Sequence, residues 1–396
     1  MKILMLTPYL PYPLLSGGQI RTYNLLKNLS HKHEITLFSF IRKEEERKYI
    51  PQLKKFCKTV QVFTRRPAWD FRNIVLAILT SYPFLVAIYL SKRLRVAVEA
   101  ELATRTYDLI HAETFYVMPN IPKTHIPTLL VEQTIEYLGY QTFAQQSKFM
   151  PLKPFLYFDV TKIKYWEKYY WQKANRLVTM SDEDKQFIQK LTNKKLHIDV
   201  VANGVDIEYF NQVKKLSAPT PTVLFVGNFK WLPNKDAAIF LAQDIWPLIK
   251  QKIPEAKLWI VGANPTMEIK NLGKIDGVVV EGEIPDIRDA FKQASVLLAP
   301  VRNGRGTRYK ILESMASQTP VVGTHLSVEG LDIQPGKHAL VSDDPHQLAK
   351  YTVEVLQNKI LHKTLSDNGK ELVRKQYDWK QISKTLDSIY RELGKK

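Results

Sequence analysis

Between Pro300 and Ser317 the chain reads Pro-Val-Arg-Asn-Gly-Arg-Gly-Thr-Arg-Tyr-Lys-Ile-Leu-Glu-Ser-Met-Ala-Ser. Gly304 and Gly306 let the main chain approach a ligand, and the arginines and Lys310 bring positive charge. Glu313 adds a carboxylate, which accepts well from sugar hydroxyls. Amides and cations for phosphate, with a carboxylate for a sugar, suit a phosphorylated nucleotide. Gly306, Lys310, Glu313 and Ser317 fall on one face of a helix, and Ile311, Leu312, Met315 and Ala316 fall on the other. Lys310 and Glu313 are therefore expected to point away from the core. Arg308 is expected in the loop or first turn, within reach of a phosphate. The same spacing also describes an ordinary solvated pair on an amphipathic helix. A basic, glycine-rich loop ahead of a helix N-terminus favours the anion-site reading.

The elements that must position these residues follow from periodicity. Ser295–Ala299, just before the loop, is an apolar run expected to be a buried strand. Further strands are expected in the second half at Val223–Val226, Leu258–Val261, Val278–Val280 and Pro320–Val322. In the first half they are expected at Lys2–Leu6, Glu34–Phe40, Leu109–His111, Thr128–Val131, Leu177–Met180 and His197–Val201. Continuous rather than alternating apolarity means strands covered on both faces, hence parallel βαβ units. The fold expected is α/β, with two Rossmann-like domains facing a central cleft and ligands at the carboxyl ends of the strands. Gly17 and Gly18 are expected in a loop, with a helix from Ile20 to Leu29. Residues 211–222 lack periodicity and carry two prolines, as a linker would. The boundaries are accordingly 1–212, 213–378 and a terminal helix, 379–396, either packed back on the first domain or free.

Composition narrows the classes. At 396 residues, 45% hydrophobic and 11% aromatic, the chain can form two real cores. Its single cysteine, Cys57, forms no disulfide within the chain and fits a reducing compartment. The net charge of +18 suits anionic partners. No groove-reading motif accompanies that charge, so nucleic acid is not expected. Basic residues mixed with aromatics in Lys153–Asp159 and Lys162–Trp171 point instead to an anionic membrane surface, or merely to a soluble basic face. Ile74–Leu90 is apolar but short of a spanning helix and broken by Pro83. It reads as two short segments, either core or a partly exposed apolar surface.

Other residues could do chemistry. His111 ends a strand in Tyr-Asp-Leu-Ile-His-Ala-Glu, where it is either structural or functional. Glu132, Gln133 and Glu136 cluster in Val131-Glu-Gln-Thr-Ile-Glu-Tyr137. Gln133 can hydrogen-bond a hydroxyl but cannot act as a base. The two glutamates could serve an acceptor or be surface charge. No GxGxxG fingerprint is present, which argues against an NAD enzyme.

These segments resemble the GT-B glycosyltransferases, specifically the family 4 retaining sugar transferases. The resemblance rests on Lys-Ile-Leu-Glu-Ser-Met-Ala with Pro320-Val-Val-Gly-Thr, on Gly17-Gly18, on Val201–Phe210, on Val226–Asp236 and on Glu281–Asp286. It implies a nucleoside diphosphate sugar as donor, no metal or other cofactor, and a polysaccharide or lipid-linked glycan as acceptor. It implies that Glu313 holds the ribose hydroxyls and that the departing phosphate assists as base. Implied donor-site residues are Gly17, Gly18, Gly227, Asn228, Lys235, Glu283, Gly306, Thr307 and Glu313. Implied catalytic residues are Arg308, Lys310, His111 and Gln133. Two departures stand out. Arg305 occupies the place of the first motif glutamate, and Asn228 and Asn234 stand where relatives carry an arginine and a lysine. The clamp charge is then expected from Arg308 and Lys310, or from Lys230 or Lys235. The implied location is the cytoplasm, peripheral on the inner membrane face. The alternatives are a nucleotide-sugar epimerase of similar architecture and a non-catalytic polyanion-binding protein.

Overall fold

The structure is a computed structural model, and it describes residues 1–147, 149–192, 196–212, 220–304 and 309–394. Two compact units form, Met1–Ala202 with Ile382–Lys396, and Asn203–Gln381. The first contains β1 (Lys2–Thr7), β2 (Glu34–Ile41), β3 (Thr59–Thr64), β4 (Leu109–Glu113), β5 (Thr128–Val131), β6 (Arg176–Thr179) and β7 (Ile198–Val200). They lie side by side in the order β3-β2-β1-β4-β5-β6-β7, every pair parallel. The second contains β8 (Thr222–Val226), β9 (Lys257–Val261), β10 (Val278–Glu281), β11 (Val296–Ala299), β12 (Val321–Gly323) and β13 (Leu340–Val341), ordered β10-β9-β8-β11-β12-β13 and again all parallel.

Each order reverses direction once, between β1 and β4 in the first unit and between β8 and β11 in the second. Successive crossovers diverge at that point, so a crevice opens beyond the carboxyl ends of those strands. Leu4, Phe38, Ile110, Leu130 and Trp171 belong to the first core, and Phe225, Ile260, Leu298, Val322 and Trp246 to the second. The fold class expected from the apolar runs is the one observed, as two parallel-sheet α/β units.

Two strands escape the sequence pattern. β3 is an edge strand, half-exposed along most of its length, so its residues alternate instead of forming an apolar run. β13 has only two residues. The unit boundary also falls ten residues earlier than the proline-bearing stretch suggests. Val205 N donates to Tyr377 O at 2.7 Å, which commits residues 203–212 to the second unit. Within the expected linker, residues 213–219 lie outside the described residues. At the other end, the helix Trp379–Leu393 brings Leu386 and Tyr390 into full burial, and Ile382 onward groups with the first unit.

Candidate active site

In the second unit β8 ends at Val226 and the chain turns at Gly227. The Gly227 amide donates to Val261 O at 3.0 Å, across to the end of β9. A Cβ built on Gly262 would lie 1.6 Å from the Gly227 carbonyl oxygen, so the two turns meet backbone to backbone. Asn228 braces the loop that follows, its side-chain oxygen accepting from Lys230 N at 3.0 Å and Asn264 Nδ2 at 3.1 Å. Asn234 lies on the helix Leu232–Phe240. Its Nδ2 donates to Asn228 O at 2.9 Å, and its Oδ1 accepts from Lys310 Nζ at 3.0 Å. One neutral amide thus joins the turn after β8 to the helix Tyr309–Ala316, which follows β11. The two loops flanking the switch point are stitched together by residues 76 apart in sequence.

The Lys310 ammonium also lies over the Phe225 ring, 4.4 Å from its centre. Glu313, one turn further along, is half-buried. Burial pushes its carboxyl up to about 7, against the opposing pull of Lys310. Tyr209 belongs to the same neighbourhood: its phenol is raised by burial first, then by Asp286, with Glu313 adding to the effect. Arg302, from the basic loop, reaches Asp236 at 2.7 Å and stacks over the Phe240 ring at 4.0 Å. That arginine is anchored to the Leu232–Phe240 helix.

In the first unit the corresponding strand ends carry a continuous hydrogen-bonded chain. His111 and Glu113 are two apart on β4, so both project from one face of the sheet. Both are fully buried. His111 Nδ1 lies 2.5 Å from Tyr390 Oη, and His111 Nε2 lies 3.1 Å from Glu113 Oε1. The other carboxylate oxygen accepts from Gln133 Nε2 at 2.7 Å, and Gln133 Oε1 accepts from Tyr9 Oη at 2.8 Å. Burial alone would raise the Glu113 carboxyl, but His111, Arg21 and Gln133 outweigh it and hold the group below the usual range. An ionised Glu113 can only accept, so His111 gives Nε2–H to one oxygen and Gln133 gives its amide N–H to the other, while Tyr390 Oη meets the second ring nitrogen. Both arms run into one carboxylate. The chain ends beside Gly18, where an added Cβ would lie 1.8 Å from Tyr9 Oη and 2.5 Å from Gln133 Oε1.

Three further carboxylates gather beside β5. Glu167, on the helix Lys153–Lys173, accepts from the amides of Glu136 and Tyr137 at 2.6 and 3.1 Å, capping the helix Glu136–Gln146. Glu132 accepts from Trp171 Nε1 at 3.1 Å, while its other oxygen is buried without a hydrogen-bond partner. Burial raises all three, Glu136 to about 7 and the other two well up, with Glu167 adding to the rise of Glu132 and Glu136 adding to that of Glu167.

Residues 220–358 match the family model described as "Glycosyl transferases group 1", and residues 15–209 match that of "Glycosyltransferase Family 4". Between them these matches take in most of both units. The chain is a GT-B glycosyltransferase of the group 1, family 4 type. It is 22% identical to an uncharacterized 44.6 kDa protein in the cps region of Klebsiella pneumoniae, over 99% of each chain. It is 26% identical to a phosphatidyl-myo-inositol mannosyltransferase of Mycobacterium leprae over 48% of this chain and 52% of that one. Among solved structures it resembles Anabaena HepE in complex with UDP and glucose, with a TM-score of 0.66, 15% identity, and coverage of 99% and 100%.

In this glycosyltransferase the sequence-predicted residues sort by place. Lys310 is tied to the Gly227–Asn228 turn and neighbours Glu313, while His111, Gln133 and Gly18 meet along one chain. Asn228 spends its side-chain oxygen on Lys230 N of its own loop and on Asn264 of the turn after β9. Lys235 is half-buried on the Leu232–Phe240 helix, and Glu283 is exposed on the loop after β10. Arg305, Gly306, Thr307 and Arg308 lie outside the described residues. Gly17 and Gly18 are not in a loop. They open the helix Gly17–Leu29, with Ser16 Oγ accepting from Gln19 N. Nor are Lys310 and Glu313 turned wholly outward, since each is half-buried. Glu132 is no surface charge, because it is buried.

The two networks also draw in residues the sequence pattern did not single out for a site: Tyr9, Glu113, Tyr390 and Gly262. Glu113 had a signal, its spacing of two from His111 on a strand. Gly262 had another, a glycine directly after an apolar run, as at Val226-Gly227. The sequence holds one Asp-x-Asp triplet, Asp182-Glu-Asp184, and it forms the first turn of the helix Asp182–Thr192, where acid complements the helix N-terminus. Among the described residues no three His, Cys, Asp or Glu side chains are grouped to hold a metal ion.

Proposed function

We propose that this glycosyltransferase moves a sugar from a nucleoside diphosphate sugar to a polysaccharide or lipid-linked glycan, with retention of configuration. The observation that carries this reading is the Lys310–Asn234 bond with Glu313 alongside, at the switch point of the second sheet. Ionised Glu313 takes the ribose hydroxyls, and Lys310 meets the charge that develops on the leaving diphosphate. Lys310 would serve where a divalent ion serves in other transferases, so no metal is required. The UDP and glucose bound by Anabaena HepE support a nucleotide-sugar donor. The phosphatidyl-myo-inositol mannosyltransferase supports an acceptor held on lipid, with this chain peripheral on the inner membrane face. In the first unit, the Gln133 amide and the Tyr9 hydroxyl are presented beside Gly18 as hydrogen-bonding groups for substrate hydroxyls.

A thermal-shift panel of UDP-, GDP-, ADP- and dTDP-sugars at about 1 mM tests the donor, because a ligand confined to the native state raises the melting point. No shift with any of them would sink the donor reading. Glu313→Ala is expected to raise the donor KM about 10- to 100-fold with a smaller change in kcat. Unchanged kinetics would remove Glu313 from the site. Full activity in excess EDTA, with an α-linked product from an α-linked donor, is expected of a metal-independent retaining enzyme.

A further inference from the structure

The helix Phe71–Leu79 is turned inside out. Its polar Asn73 is 1% exposed, with its amide donating to Pro67 O at 2.9 Å and Ala68 O at 3.2 Å. Its apolar residues face solvent instead: Leu79 is 79% exposed, and Phe71, Ile78 and the neighbouring Trp69 are equally bare. A second segment, far away in sequence, does the same. At the start of the helix Lys153–Lys173, Asp159 and Lys162 point inward while Phe155, 70% exposed, and Phe158 point outward. The inward polar groups join the two. Lys162 Nζ donates to Ala77 O and Thr80 O at 2.6 and 2.8 Å, and Asp159 Oδ1 accepts from Phe84 N at 2.8 Å. A soluble surface rarely assembles so many large apolar side chains, and here polar residues are used up to hold them outward.

We propose that this double face, Trp69–Leu79 with Phe155 and Phe158, seats the protein on an anionic lipid bilayer. Charge complementarity selects that occupant. Arg65, Arg66 and Arg72 stand against Asp70 in the first segment, and five lysines between Lys153 and Lys173 stand against Asp159 and Glu167. Tryptophan and phenylalanine ringed by Lys and Arg suit the boundary between headgroups and acyl chains. Among the described residues no helix is long and apolar enough to cross a membrane, so the contact is one of lying on the surface. The inference deepens the reading of a lipid-held acceptor, but its readout is partition, measured without any substrate.

Co-sedimentation with vesicles tests it, using phosphatidylcholine alone and phosphatidylcholine with about 30 mol% phosphatidylglycerol. The wild-type chain is expected to pellet with the anionic vesicles and to be released in part by about 1 M NaCl, which shortens the screening length to roughly 3 Å. Trp69→Ser with Leu79→Ser, and separately Phe155→Ser with Phe158→Ser, should each weaken partition on the order of 10- to 100-fold. Far-UV circular dichroism and any nucleotide-sugar thermal shift should stay as in wild type, since these side chains sit outside the cores. Three results would overturn the proposal: wild type left in the supernatant, variants that partition as well as wild type, or a wild-type dimer in ultracentrifugation that the same variants abolish while vesicles recover nothing. The last would assign the face to a second copy of the chain.

Discussion

The two switch points carry polar groups of opposite character. In the first unit His111, Glu113 and Tyr390 are completely buried, two of them on a strand, and they satisfy one another along a single chain. In the second unit Lys310 and Glu313 ride on a helix and are half-buried, with Lys310 held by an amide oxygen and an aromatic face. A strand-borne, water-excluded network is fixed before any ligand arrives, and breaking it leaves charge stranded in low dielectric. A helix-borne pair at half burial can exchange its protein partners for those of a ligand. Stability should therefore rest on the fully buried His111, Glu113 and Tyr390, and catalysis on half-buried groups, Lys310 and Glu313 in the second unit and the Tyr9–Gln133 end of the chain in the first.

Lys310→Ala should break the second site most. A loss of kcat of roughly 100- to 1,000-fold is expected if the ammonium stabilises the departing diphosphate, with the melting point nearly unchanged. Steady-state kinetics beside a thermal melt would show it, and a large loss of stability with kcat intact would reverse the contrast. Glu113→Gln should do the opposite. Removing the charge that both arms of the first-unit chain meet should cost about 3 kcal/mol of folding stability, read from denaturant midpoints. Gly18→Ala sharpens the picture, because the new methyl displaces Tyr9 Oη and Gln133 Oε1 while alanine favours the helix. About a tenfold fall in kcat/KM with little loss of stability is expected.

The smallest effect concerns pH. Glu313 has its folded carboxyl raised from 4.5 to about 7, so the native state holds its proton more tightly than the unfolded chain does. That contribution to stability is complete below the unfolded value and is lost as pH rises through about 7. Glu313→Gln should flatten the stability profile across this window by on the order of 1 kcal/mol, discounted for the residue's remaining exposure. Donor affinity should move the other way, improving as the carboxyl ionises. Titration calorimetry at pH 6 and about pH 8 would detect it, and pH-independent affinity would remove the ionised carboxylate from donor binding.

Much of the fold was legible because buried parallel strands leave continuous apolar runs, and β3 and β13 were lost because one alternates and the other has two residues. Lys310 and Glu313 were legible because their spacing is helical and local. Gly17 and Gly18 were noticed for the wrong conformation, since a Ser16 cap can start a helix on two glycines when the surrounding fold supports it.

By itself the sequence determined the two parallel sheets, the family and the helix after β11 that carries Lys310 and Glu313, all of which depend on order and spacing along one stretch of chain. Only tertiary structure decided that Tyr390 meets His111 from 279 residues away, that Asn234 receives Lys310, and that two helices turn their apolar faces outward. The reason is physical. Periodicity tells which side chains share a face, but what that face meets depends on which distant segment the folded chain brings against it.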